Sequence, residues 1–216
     1  MKPGRVFTTL ASMLLLAVAA TLIPVGCMET TISTTETAGR DEAANLQQEM
    51  QDKVQAVQDR EAELASMIHG MINKERKSNG LKSLQWDQSL ANIAYLHSKD
   101  MAERDYFDHI NPEGEDFADR YAEHGYHLDT RIGNHVYVGG ENLFLSNVVR
   151  SYRFDPETNE IFEYTYNTLD DLAVSTVEGW MDSPGHRENI LTPFTREGIG
   201  IFVTDEGEVY ITENFS

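Results

Sequence analysis

The sequence predicts an α+β domain carried on an N-terminal helical stalk. Apolar residues recur at helical spacing through 41–77, 87–101 and 170–180, and apolar runs bounded by glycine and turn residues occupy 136–145, 151–166 and 198–215. The length of 216 residues suits one domain of about 150 residues plus accessories, enough to bury a core without cross-links.

Residues 1–26 open with Lys2 and Arg5 and continue through VFTTLASMLLLAVAATLIPV to Gly26, just before Cys27. A basic start followed by an apolar run is an export signal. Three readings of its end stay open: a lipoprotein site with Cys27 as the lipid-modified first residue, an ordinary signal cleaved near Gly26, or an uncleaved anchor, since about 20 apolar residues span a bilayer. Pro24, three residues before Cys27, weakens the first. All three place the remainder outside the cytoplasm, secreted or held to the membrane by its N-terminus.

Residues 27–40 are Thr-rich and aperiodic, a tether. A helical stalk is expected over 41–63. Met50, Val57, Leu64 and Met71 recur every seven residues, with Val54 and Ile68 four after Met50 and Leu64, although Gln47 and Glu61 interrupt the seam. A solvated stalk running into the first domain helix is the simpler reading; a homodimer through the stalk is the alternative.

The domain is expected over 64–216. Asn79 and Gly80 stop its first helix, and Asp87 caps a second, whose Leu90, Ile93, Ala94, His97 and Met101 share one face. His97 reads as scaffold. Tyr106, Phe107, Asp108 and His109 enter a turn closed by Asn111 and Pro112, and Asp116 caps a short helix that runs to His124 and ends at Gly125. Residues 136–145 are strand pieces around a glycine pair. Residues 151–166 read as a hairpin within an insertion of about 147–167, and its five aromatic residues mark it as decoration or as a flap beside a cleft. Asp170 or Asp171 starts a helix that passes Trp180 and breaks at Ser183. Pro184 opens the next helix, Thr192-Pro193 stops it, and GIGIFVT and VYITENF close the chain as a central hairpin.

The only cluster that reads as a site is EGWMDSPGHRENIL at 178–191, with GEN at 140–142 and FDH at 107–109 as partners. Ser183 before Pro184 is read as a capping hydroxyl, which puts His186 in a first helical turn, where the helix dipole favours neutral imidazole. His124, His127 and His135 have no metal-ligand spacing and are unassigned. The lone Cys27 excludes an internal disulfide. The excess of 36 acidic over 17 basic residues argues against nucleic acid and against anionic membrane surfaces as general partners.

The motifs GLKSLQWDQSLANIAYLHSKDMA at 80–102, YFDH at 106–109, GEN, GWMDSPGHRENIL at 179–191, GIGI at 198–201 and YITENFS at the C-terminus occur in an order that resembles the CAP superfamily of cysteine-rich secretory, antigen and pathogenesis-related proteins. The resemblance is to its cysteine-poor prokaryotic branch. It implies an α-β-α sandwich with a central, mainly antiparallel sheet and a cleft of two His and two acidic residues. By motif these are His109, Glu141 and His186. The fourth is in doubt, because Ser183 stands where many members have Glu; Glu178 and Asp182, flanking Trp180, are the candidate substitutes. The expected cleft residues are therefore His109, Glu141, His186, Glu178, Asp182 and Trp180.

His109, His186 and Glu141 would make a zinc first shell with an open position. The alternative, which is favoured, is a polar hydrogen-bond network. A peptidase-like hydrolase would use Ser183, His186 and Glu141, but a capping role explains the Ser183 hydroxyl better. The resemblance implies a binding domain for a small hydrophobic, peptide or envelope-derived ligand. A structural envelope protein acting through its stalk is a third reading.

Overall fold

The structure is a computed structural model that describes residues 34–126, 130–132, 135–137 and 139–216, with no description of side chains over 34–39 and 127–138. The expected export signal, Cys27 and the start of the tether lie outside the described residues. In chain order the elements are α1 Thr34–Gln58, α2 Glu61–Ser78, β1 Gln85–Trp86, α3 Gln88–Glu103, α4 Phe117–Glu123, β2 Thr130–Ile132 and β3 His135–Tyr137. There follow β4 Gly140–Asn147, β5 Val149–Phe154, β6 Ile161–Tyr166, α5 Leu169–Asp182, α6 Pro184–Leu191, β7 Arg196–Val203 and β8 Glu208–Phe215.

The central sheet runs β1-β7-β8-β4, antiparallel except for the parallel β1–β7 pair. Helix α3 lies against β7 and β8, while α2, α5 and α6 pack together on the other face against β7 and β4. This is the α-β-α sandwich. Alternation along β8 explains its two cores: Val209, Ile211 and Phe215 enter the large cluster with α2 and α5, and Tyr210 joins Met101 and Leu143 on the α3 face.

Local chemistry sets most ends. Asp87 accepts from the amides of Ser89 and Leu90, and Asp116 forms a full capping box with Asp119. The cap of α5 is Thr168, paired reciprocally with Asp171, so that helix begins two residues earlier than Asp171 alone suggests. Gly198 and Gly200 let α3 ride on the sheet backbone: an added Cβ would stand 2.1 Å from Ala91 N and 1.9 Å from Tyr95 N, respectively.

Two expectations change. The helical stalk begins at Thr34, inside the expected tether, and breaks at Asp59–Arg60. Beyond Met50 the heptad seam is used within the chain, since Val54, Val57, Leu64 and Ile68 are buried in the domain's own core. Gln58 ties this helix down by donating to the carbonyl of Val203. The β5–β6 hairpin is real, but it sits at the far end of β4 from Glu141, and Lys53 of α1 lies over its Tyr166. Asn147, at the hairpin's base, is six residue steps along the strand from Glu141, about 20 Å at ~3.3 Å per residue, so the hairpin is not a flap over that residue.

Candidate functional site

Strand β4 is an edge strand, and its first residues serve both faces of the sheet. Glu141 points toward α3 and α4. Asn142 points toward α2 and α6.

Glu141 is 4% exposed, and both of its oxygens are engaged. His109 Nδ1 lies 2.9 Å from Oε1, and Arg120 Nη2 donates to Oε2 at 2.7 Å. Arg120 also donates to the carbonyls of His109 and Glu115, so the capped helix α4, the 109–115 loop and β4 close on one guanidinium. His97 stands behind them, its Nε2 4.0 Å from Glu141 Oε1 and 3.1 Å from the carbonyl oxygen of Asp108. That carbonyl can only accept, so Nε2 carries the hydrogen and Nδ1 is left as a bare acceptor. Burial pushes the His97 pKa down, opposed by the Glu141 charge.

His186, in the first turn of α6, has its ring centroid 6.5 Å from that of His109. Its pKa is lowered chiefly by burial and then by His109, so burial rather than the helix dipole is what disfavours a charge on this ring. Asn189 anchors α6 to this turn, donating to the backbone oxygen of Glu141 and to Asn142 Oδ1.

His109, Glu141 and His186 therefore come together, as the motifs imply. The remaining candidates do not join them. Trp180 is fully buried and donates its indole hydrogen to the carbonyl of Leu143, which makes it the anchor of α5 on β4 rather than a cleft wall. Glu178 and Asp182 are exposed, and neither has a hydrogen bond or ion pair to the three among the described residues. Ser183 makes no side-chain cap, which corrects the capping expectation: Pro184 at the first helical position removes one amide that would need capping, and the Ser183 carbonyl accepts from Arg187. No hydrogen bond links the Ser183 hydroxyl to His186, so a nucleophile–base pair is not formed. His97 and Arg120 are site residues that sequence reasoning did not place there.

Glu141 is not disposed as a direct metal ligand in this arrangement: His109 and Arg120 engage its two oxygens, and the guanidinium at 2.7 Å adds positive charge beside it. Among the described residues no group of three His, Cys, Asp or Glu side chains is placed to hold a metal. A cavity of about 620 Å³ opens beside the cluster, lined by His97, Asp100, Arg104, Glu113, Glu115 and Arg120 among others. A smaller one, about 420 Å³, lies away from it by Gln58 and Val203. His97 Nδ1 and Arg120 Nε belong to residues lining the larger cavity and are buried polar atoms without a partner.

Fold and site together define a small α-β-α domain with a His–Glu–His cluster at an edge strand. The chain belongs to the cysteine-rich secretory protein family, CAP, whose profile matches residues 69–215. It is 32% identical over 149 residues to the uncharacterized membrane protein YlbC of Bacillus subtilis (strain 168), covering 68% of this chain and 33% of that protein. It is also 32% identical over 131 residues to the uncharacterized protein YkwD of the same strain, covering 60% of this chain and 39% of that protein. The chain thus spans well under half the length of these relatives. Among solved structures, an extracellular protein containing a SCP domain from Bacillus anthracis str. Ames is 28% identical, with a TM-score of 0.49 over 72% of this chain and 40% of that one.

Proposed function

We propose that this CAP domain is exported, works outside the cytoplasm, and binds a polar peptide or envelope-derived ligand in the cavity beside Glu141 without transforming it. The observation that carries this reading is the saturation of Glu141: a carboxylate held by Arg120 and His109 is a fixed recognition element, not a free base. The cavity's charged walls, with Asp100, Arg104, Glu113, Glu115 and Arg120 among them, favour a polar ligand over the small hydrophobic one. The apolar run at 6–25 supports export, and a relative described as a membrane protein is in keeping with it. Among the described residues no helix is long and apolar enough to cross a membrane. The N-terminal segment offers an anchor, by lipid on Cys27 or by the apolar run itself.

The test is titration of the purified chain with soluble cell-wall fragments and short peptides, followed by NMR. Saturable shifts at His97 and Arg120 that survive Ser183→Ala are expected. Turnover of a peptide or ester library that depends on Ser183 would overturn the reading in favour of the hydrolase. Equilibrium dialysis against zinc checks the network: a stoichiometric zinc lost in His186→Ala would replace it with a metal centre.

A further inference from the structure

Glu197 of β7 and Glu213 of β8 are both wholly buried on the α2 face of the sheet, in the same core as Ile199, Ile211 and Phe215. They are diagonal neighbours across the β7–β8 ladder, Glu213 pairing with Ile199 and Glu197 with Phe215, so both carboxyls project from one face. One oxygen on each, Glu197 Oε2 and Glu213 Oε1, is buried without a hydrogen-bond partner. A hydrogen bond between the two carboxyls requires a proton, because two ionised carboxylates bring only acceptors, and one shared proton would satisfy both oxygens. The remaining oxygens are held from opposite sides. His69 Nδ1 of α2 meets Glu197 Oε1, and Asn142 Nδ2 of β4 donates to Glu213 Oε2 at 3.0 Å.

Among the described residues, the charged groups facing the pair come from α2. They are His69, which is half-buried, and Arg76, which donates to the carbonyls of Lys82, Ile190, Thr192 and Phe194 and so remains a fixed positive charge beside the two acids. The buried face of α5 is Leu169, Leu172, Ala173, Thr176, Val177 and Trp180, none of which titrates. Helix α1 contributes Val54 and Val57, and α6 reaches Asn142 through Asn189 and the His186 carbonyl. One negative charge on the pair balances Arg76. Two would not be balanced unless His69 were protonated, and burial lowers its pKa.

We propose that Glu197 and Glu213 form a proton-sharing carboxyl pair that holds β7 and β8 together on the α2 face while one proton is kept and drives them apart there when that proton is lost. Asn142 links the pair to the site: its amide donates to Glu213 and stands 3.3 Å from the carbonyl of His186, and its oxygen accepts from Asn189. Loss of the proton leaves two negative charges together in an apolar core, and the ionised Glu213 then accepts more strongly from Asn142, so the change reaches α6 through that amide. Burial holds the Glu213 carboxyl far above the usual range, with the Glu197 charge adding to it, and burial raises Glu197 to about 7.

Infrared spectroscopy and urea unfolding, each across about pH 5 to about pH 9, test the pair in the wild-type chain, Glu213→Gln and Glu197→Gln. A protonated carboxylic acid band at neutral pH is expected in the wild type and lost in Glu213→Gln, whose amide still donates to Glu197 and accepts from Asn142. The wild-type unfolding constant should rise with pH relative to Glu213→Gln, by up to about tenfold per pH unit for one linked proton. The His186 ring resonance should follow the same transition and stop doing so in Glu213→Gln. No acid band in the wild type, or parallel unfolding curves in wild type and both variants, overturns the pair. A pair-dependent band with a His186 resonance that ignores it overturns the link from the pair to α6 through Asn142.

Discussion

Arg120 Nη2 lies 2.7 Å from Glu141 Oε2, and both side chains are nearly closed to solvent. A buried pair of this kind adds little over a well-packed apolar replacement, yet it is costly to break from one side, because the partner is left charged and desolvated. Its structural weight is that it joins the 109–115 loop, α4 and β4 at one point. Arg120→Met should therefore cost about 3–5 kcal/mol in urea unfolding. The double variant with Glu141→Gln should recover much of that loss, since no charge is then stranded. A double variant no more stable than Arg120→Met would assign the loss to the carbonyl contacts of Arg120 instead.

The two glycines of GIGI make a different prediction. At Gly200 a Cβ would sit 1.9 Å from Tyr95 N, against backbone that cannot turn aside as a side chain could. Gly200→Ala should push α3 off the sheet and cost about 3 kcal/mol or more, the upper range for overpacking. Gly185, inside α6, has nothing within 4 Å of its added Cβ, and Gly185→Ala should be neutral or stabilising by about 0.5–1 kcal/mol. Thermal melts of the two variants make the comparison.

The β5–β6 hairpin separates decoration from function. Tyr152, Phe154 and Phe162 are exposed on it, and the ladder from Tyr152 through Tyr164 to Tyr166 packs beside α1 rather than beside Glu141. Replacing 151–166 by a short glycine turn should leave ligand-induced shifts at His97 and Arg120 unchanged. A loss of affinity of about tenfold or more, 1.4 kcal/mol, would return the hairpin to the site.

What the sequence made legible was local. Asp87, Asp116, the Asn79–Gly80 stop and Pro184 act through their own neighbours, and each sits where its chemistry places it. The α-β-α layering and the meeting of His109, Glu141 and His186 came through ordered motifs, not through any periodicity. Arg120 was invisible because a basic residue in the last turn of a seven-residue helix reads as solvated, and only packing against a loop and a strand buries it. Trp180 was misplaced by its charged neighbours: successive helix residues differ by about 100°, so Glu178 and Asp182 face solvent while Trp180 faces the core. Glu213 did leave a signal. It occupies the same face of its strand as Val209, Ile211 and Phe215, where alternation calls for an apolar side chain.

His97 gives the acid limb of stability. Its ring is buried, with burial lowering its pKa below the ordinary histidine value, so the folded chain resists taking up a proton that the unfolded chain accepts. Where the unfolded state binds more protons, stability rises with pH, so the contribution is present above the unfolded value of about 6.5 and is lost as pH falls from there toward the lowered folded pKa. The carboxyl pair has the opposite sign, its contribution being lost as pH rises. Urea midpoints should accordingly pass through a maximum, and His97→Gln should flatten only the acid side while Glu213→Gln flattens only the alkaline side. The amide introduced by His97→Gln can still donate to the Asp108 carbonyl, so the loop is kept while the titrating group is removed. An acid limb that persists unchanged in His97→Gln would mean that protonation elsewhere, with the lowered His186 as the next group to test, sets the loss.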